Sequence, residues 1–231
     1  GRLVLVAAGK AGWQMAKAAV DVLGDRLSGG VVITKYEHSK GPLKGMEIFE
    51  AGHPVPDENS YRATQAAIDA VTGLSSEDTV LFLLSGGGSA LFEKPLIPTK
   101  DMEQLTRELL ASGADIVEMN TIRKRFSAVK GGKFAALCRP ARVFSVVLSD
   151  IIGDPLDMIA SGPAYPDSST AAQASHIAAR YHLTMTDEME ALLKTETPKT
   201  LENVETHITG SVRQLCLAAE DTCRQLGYEP V

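Results

Sequence analysis

Apolar positions recur along this chain with two different spacings. Short runs rich in valine, leucine and isoleucine predict strands at Leu3–Ala8, 30–34, Met46–Ala51, Thr79–Ser85 and 142–149. Longer segments between them repeat every three or four residues. From Gly12 to Leu23, for instance, Met15, Ala19, Val20 and Leu23 share one helical face. Strands alternating with helices predict a parallel sheet with helices on both faces, because a parallel connection needs a crossover long enough to hold a helix. The expected fold class is α/β: doubly wound, mostly parallel and Rossmann-like. The unbroken apolar run from Val80 to Leu84 suits a strand buried on both faces at the sheet centre.

The stretch 52–60 is too rich in proline for regular structure and ends in residues suited to capping a following helix. Within it, His53 reads as a turn histidine held by its own loop. Over 116–129 an apolar stripe (Met119, Ile122, Phe126, Val129) runs beside a polar one (Asn120, Arg123, Ser127, Lys130), as on a single long helix. After Gly162 and Pro163 the text is helical and polar, and 194–200 reads as a linker. The division expected is a larger Rossmann-like domain over 1–200 and the beginning of a smaller α/β domain over 201–231. The first residues already read as strand, and the last read as a turn toward a further strand, so a longer protein is expected.

Two strand ends carry chemistry. Ser85, Gly86, Gly87, Gly88 and Ser89 follow the central strand; three glycines remove every Cβ that would block a ligand, and successive amides with two hydroxyls can face one phosphate. A tight strand-to-helix turn is the competing explanation. Gly9 and Lys10 stand at the end of the first strand, and in the sheet order 3-2-1-4-5 the two strands are neighbours across the topological switch point, where ligands bind. Lys10 would then meet the triglycine loop and neutralise charge on a transferred phosphoryl group. Asn120, Arg123 and Lys130 could bring polar and cationic groups to the same cleft, although a solvated helix face explains them equally. Asp150 and Asp154 end the 142–149 strand, and magnesium takes one or two carboxylates together with nucleotide phosphates.

Composition narrows the classes. A net charge of -6 disfavours nucleic acid, which needs a dense basic face. Cys138, Cys216 and Cys223 lack zinc-ligand spacing and are odd in number, which fits a reducing cytoplasm. No apolar stretch has membrane-spanning length. Gly9-Lys10-Ala11 and Gly132-Lys133-Phe134 both break the P-loop pattern, and no G-x-G-x-x-G occurs, which weakens a nicotinamide site.

Five ordered strings, LVLVAAGKAGWQMAKAA, AGHPVPDENS, LFLLSGGGSALFEKP, NTIRKRFSAVKGGKFA and LSDIIGDPLDMIASGPAYPD, strongly resemble the glycerate 2-kinase family that carries a C-terminal MOFRL domain. The resemblance covers most of 1–170. It implies ATP-dependent phosphorylation of D-glycerate at its 2-hydroxyl, with Mg2+, in a cleft between two domains. It implies an active-site role for Lys10, and it places Ser85 to Ser89 in the family's glycine-rich loop. Asn120, Arg123 and Lys130 match its charged motif, and Asp150 and Asp154 its Ser-Asp motif. Some relatives carry the label hydroxypyruvate reductase, an alternative reading, as is a nucleotide or sugar-phosphate binding module without catalysis. A small-molecule substrate and a nucleotide are the expected partners, and a homodimer is left open.

Overall fold

The computed structural model describes residues 1–149, 156–210 and 212–229. Six strands, β1 (Leu3–Ala8), β2 (Gly29–Lys35), β3 (Met46–Ala51), β4 (Thr79–Ser85), β5 (Arg142–Leu148) and β6 (Val204–Gly210), form one sheet in the order β3-β2-β1-β4-β5-β6. Every neighbouring pair is parallel. The chain reverses direction across the sheet between β1 and β4, so their C-terminal ends form the switch point the strand order predicts.

Alternation along β1 explains the layers. Leu5 and Ala7 face α1 (Gly12–Leu23), packing with Val32, Leu83, Trp13 and Ala16. Val4 and Val6 face the opposite side and join Ile33, Val80, Phe82 and Leu84. There they meet Ala63, Ala67 and Val71 of α2 (Glu58–Val71). Burying each large side chain of this kind contributes about 1.5–3 kcal/mol. The Asp57 carboxylate accepts from the Ser60 amide at 3.0 Å while the Ser60 hydroxyl accepts from the Asp57 amide at 3.1 Å, a reciprocal cap that starts α2 where the sequence suggests.

The β4–β5 crossover carries a single helical turn, α3 (Gly88–Leu91), then α4 (Thr99–Ser112), α5 (Ile116–Arg125) and α6 (Lys133–Leu137). Beyond β5 come α7 (Ala171–Arg180) and α8 (Asp187–Leu193). Helices α4, α5, α7 and α8 share a satellite core of Leu105, Leu109, Ile122, Phe126, Ile177, Met189 and Leu193.

The long helix expected over 116–129 stops at Arg125. The chain is drawn out beyond it: Phe126 O accepts from the Leu96 amide and the Ala128 amide donates to Lys94 O, both at 2.8 Å. Lys133 Nζ then donates to the carbonyls of Lys124, Arg125 and Ser127 and satisfies the exposed helix end. Ser127 and Lys130 therefore leave the helical face on which the sequence placed them.

The stretch 194–200, expected to be a linker, is stitched down. The buried Thr197 hydroxyl donates to Asp167 at 2.8 Å, and the Asp167 amide donates to Pro198 O at 3.0 Å. From there the chain enters β6, hydrogen-bonded along β5, and α9 (Val212–Gln225), whose described side chains are largely exposed.

Candidate functional site

Gly9 and Gly86 lock the two strand ends together. Gly9 has φ 127, and a Cβ there would lie 2.2 Å from the Ser85 hydroxyl, so only glycine allows the approach. The Lys10 amide donates to Gly86 O at 2.8 Å and the Ala11 amide to Ser85 Oγ at 3.0 Å. Those two amides hold the neighbouring loop and do not face a ligand. What the Gly9-Lys10 loop offers the site is its lysine side chain, which is exposed.

Gly87 adopts the left-handed conformation, φ 86 and ψ -4, and turns the chain into α3. Because α3 is only one turn long, few peptide dipoles add up behind it, and anion binding here must rest on the loop amides and hydroxyls. A Cβ on Gly87 would come within 3.0 Å of both Lys10 Cγ and His53 Cδ2. Lys10 thus meets the triglycine loop as the strand order predicts. The same contact brings in His53, which sequence reasoning assigned to its own loop.

A third wall comes from 160–162. Ala160, Ser161 and Gly162 have consecutive positive φ values of 51, 61 and 63, a costly backbone for two non-glycine residues and one that clusters at functional sites. A Cβ on Gly88 would lie 2.6 Å from Ala160 Cβ. The Ser161 hydroxyl stands 3.5 Å from Ser89 Oγ and donates to Asn120 Oδ1 at 3.4 Å. Asn120 is therefore at the site, reached through a hydroxyl relay rather than by a bare helix face.

The cations of the charged motif separate. Lys130 is fully buried: its Nζ donates to Glu93 Oε2 at 2.6 Å and to the carbonyls of Ser89 at 2.8 Å and Phe92 at 3.4 Å. Burial pushes its ammonium down, against the pull of Glu93, and the charge of Arg123 pushes the same way. Lys130 thus lies beneath the glycine loop and grips its backbone. Arg123 lies near enough to Lys130 to act on it, is half-buried, and has a buried Nε with no hydrogen-bond partner.

Lys124 and Arg125, one step along, point inward. Lys124 Nζ pairs with Asp167 at 3.1 Å, and Arg125 donates to the carbonyls of Thr195 and Ser169, each at 3.0 Å. Burial works to raise the Asp167 carboxyl, but Lys124 and the hydroxyls of Thr197 and Ser169 outweigh it and hold it below the ordinary range. Asp150 and Asp154 lie outside the described residues. Among the described residues no cluster of three or more His, Cys, Asp and Glu is placed to hold a metal ion.

Comparison with known proteins matches residues 1–194 to the family described as Domain of unknown function (DUF4147). Among curated proteins the chain is 51% identical to a D-glycerate 2-kinase of Thermotoga maritima, covering 98% of this chain and 55% of that protein. It is 42% identical to a putative hydroxypyruvate reductase of Agrobacterium vitis, over 92% of this chain and 48% of that protein. The crystal structure of the Thermotoga maritima glycerate kinase superposes with a TM-score of 0.93 at 51% identity, over 98% of this chain and 55% of that one. The chain thus spans about half the length of the curated relatives it matches. Matched over most of its length by that family model, this chain belongs to the DUF4147 family, that of the glycerate 2-kinases.

Proposed function

We propose that this chain is the larger-domain half of a glycerate 2-kinase, which transfers the γ-phosphoryl group of ATP to the 2-hydroxyl of D-glycerate. The observation that carries this reading is Lys10 packed against Gly87, where loops from β1 and β4 meet at the switch point. In the reaction the O2 oxygen forms a bond to the γ-phosphorus, the bond from phosphorus to the ADP oxygen breaks, and the hydroxyl proton passes to water. The Lys10 ammonium neutralises charge on the moving phosphoryl oxygens, while the amides of Gly86 to Ser89 and the Ser89 hydroxyl hold it in line. Ser85, buried with its Oγ taken by the Ala11 amide, shapes the loop from behind. Asn120 and Arg123 bind the glycerate end, where a carboxylate suits a guanidinium. Lys130, read from the sequence as a ligand donor, keeps a role at one remove by fixing the Ser89 carbonyl.

The cofactor in this reading is Mg2+ carried on ATP. Asp150 and Asp154 are its candidate ligands, a carboxylate pair of the kind that cation takes beside nucleotide phosphates. The rest of the relatives' length would supply a second domain of MOFRL type; because β6 pairs along β5 in the same sheet, the division expected near residue 200 moves beyond Gly210 in this reading. The cytoplasm is the proposed location, and a homodimer stays open as the assembly. No helix among the described residues is long and apolar enough to cross a membrane.

The reductase reading is less well supported, since a strand-linked G-x-G-x-x-G is lacking. Full-length protein given ATP, Mg2+ and D-glycerate should form 2-phosphoglycerate, read by 31P NMR. Formation of the 3-phospho isomer alone, or loss of NADH absorbance with hydroxypyruvate in place of ATP consumption, would contradict the proposal.

A further inference from the structure

His53 belongs to no role given so far, yet the fold takes trouble to deliver it. Its loop leaves β3, three strands away from β4 in the sheet order, and must pass the ends of β2 and β1 to reach Gly87. That path is braced at its base. The Gly52 amide bonds to the Asp57 carboxylate, and the Tyr36 hydroxyl donates to Asp57 Oδ2 at 2.7 Å. Asn59 Nδ2 donates to the Tyr36 hydroxyl at 2.8 Å. A Cβ on Gly52 would lie 2.7 Å from Val55 O, so the bend tolerates no larger residue. At its tip, His53 Nε2 stands 3.1 Å, and Lys10 Cγ 3.0 Å, from the position a Gly87 Cβ would occupy.

Imidazole and lysine stem thus converge on the space beside the Gly87 Cα that a side chain would fill. Glycine at 87 is what leaves room for both, and its positive φ excludes other residues on backbone grounds as well. The ring is half-buried, with one edge against the loop. From this position an imidazole N–H can hydrogen-bond an oxygen of a tetrahedral anion seated on Gly86 to Ser89, beside the Lys10 ammonium.

We propose that His53 is a further catalytic residue that contacts the phosphoryl group in transfer and shares its negative charge with Lys10. The inference rests on the kinase reading for the identity of that group. Two readouts separate them. In the full-length enzyme, His53→Ala should lower kcat about 10²-fold, the effect of removing one donor aimed at developing charge, with the KM for D-glycerate changed less than threefold. His53→Gln, which keeps an N–H donor, should recover about tenfold of that loss. A melting temperature within a few degrees of wild type shows that the variants fold. Independently of turnover, the His53 imidazole signals in 1H–15N spectra should move when inorganic phosphate or a non-hydrolysable ATP analogue is added. An active wild type whose His53→Ala variant keeps kcat within twofold, or a His53 signal that both probes leave in place, overturns the inference and leaves the kinase reading intact. An inactive wild type whose His53 signal still shifts with phosphate overturns the kinase reading and supports the anion contact.

Discussion

Lys10 and Lys130 both reach the loop from Ser85 to Ser89, and their surroundings give them opposite work. Lys10 is exposed at a strand end, its stem packed against Gly87. Lys130 lies under the same loop, wholly removed from solvent, with its three donors taken by Glu93, Ser89 and Phe92. An ammonium can serve a ligand only where the ligand can reach it, which the surface position of Lys10 allows and the burial of Lys130 forbids. Basic residues in a motif therefore divide by burial, and Lys124 and Arg125 fall with Lys130.

The contrast can be broken most forcefully at Lys10. Lys10→Ala should cost about 10³-fold in kcat of the full-length enzyme and leave the melting temperature nearly unchanged. Equal losses in nucleotide affinity and in kcat/KM would instead make it a binding lysine. Lys130→Met should do the reverse. It leaves the Glu93 carboxylate buried without its cation, and breaking such a pair costs about 3–5 kcal/mol, read by urea denaturation. A Lys130→Met variant with wild-type stability and lost ATP binding would move Lys130 into the ligand site.

Smaller effects sharpen the boundary. Gly87→Ala should cost about 1–2 kcal/mol from its left-handed backbone and should lower kcat by displacing Lys10 or His53; unchanged turnover would show that neither side chain is held there for catalysis. The smallest effect concerns Lys133, which burial pushes down to about 8. Between that value and the ordinary lysine value of about 10.4, the unfolded chain binds more protons at this position than the folded one. Wild-type stability should therefore rise relative to Lys133→Met as pH climbs through that window. A flat difference between pH 7.5 and 10.5 would show that Lys133 is not desolvated.

Much of this was legible in the sequence because it is local. Runs that each end at a glycine placed β1, β3 and β4 to the residue, and three glycines after a doubly buried strand marked the phosphate loop. The alternation of strands and helices pointed to a doubly wound sheet, and its common order, taken as a condition, brings Lys10 to the triglycine loop. What escaped depends on distant partners. β6 is a polar strand, VETHITG, and it is recruited by pairing with β5 rather than by any apolar run of its own. The end of α5 is set by 94–96 pairing with 126–128, which no helical periodicity reveals. Lys130 shares a heptad-like spacing with Arg123, yet one turn of chain beyond Arg125 buries it. His53 was read as a loop residue because its reach across β2 and β1 is a property of the loop's path.

Competitive acetylation of the chain's lysines with and without ATP, read by mass spectrometry, tests the central contrast most directly. Lys10 should react in the free protein and be protected by ATP, while the buried Lys124 and Lys130 stay unreactive in both states. Lys10 labelling that ATP leaves unchanged, or a Lys130 that reacts freely and is protected by ATP, would contradict the account.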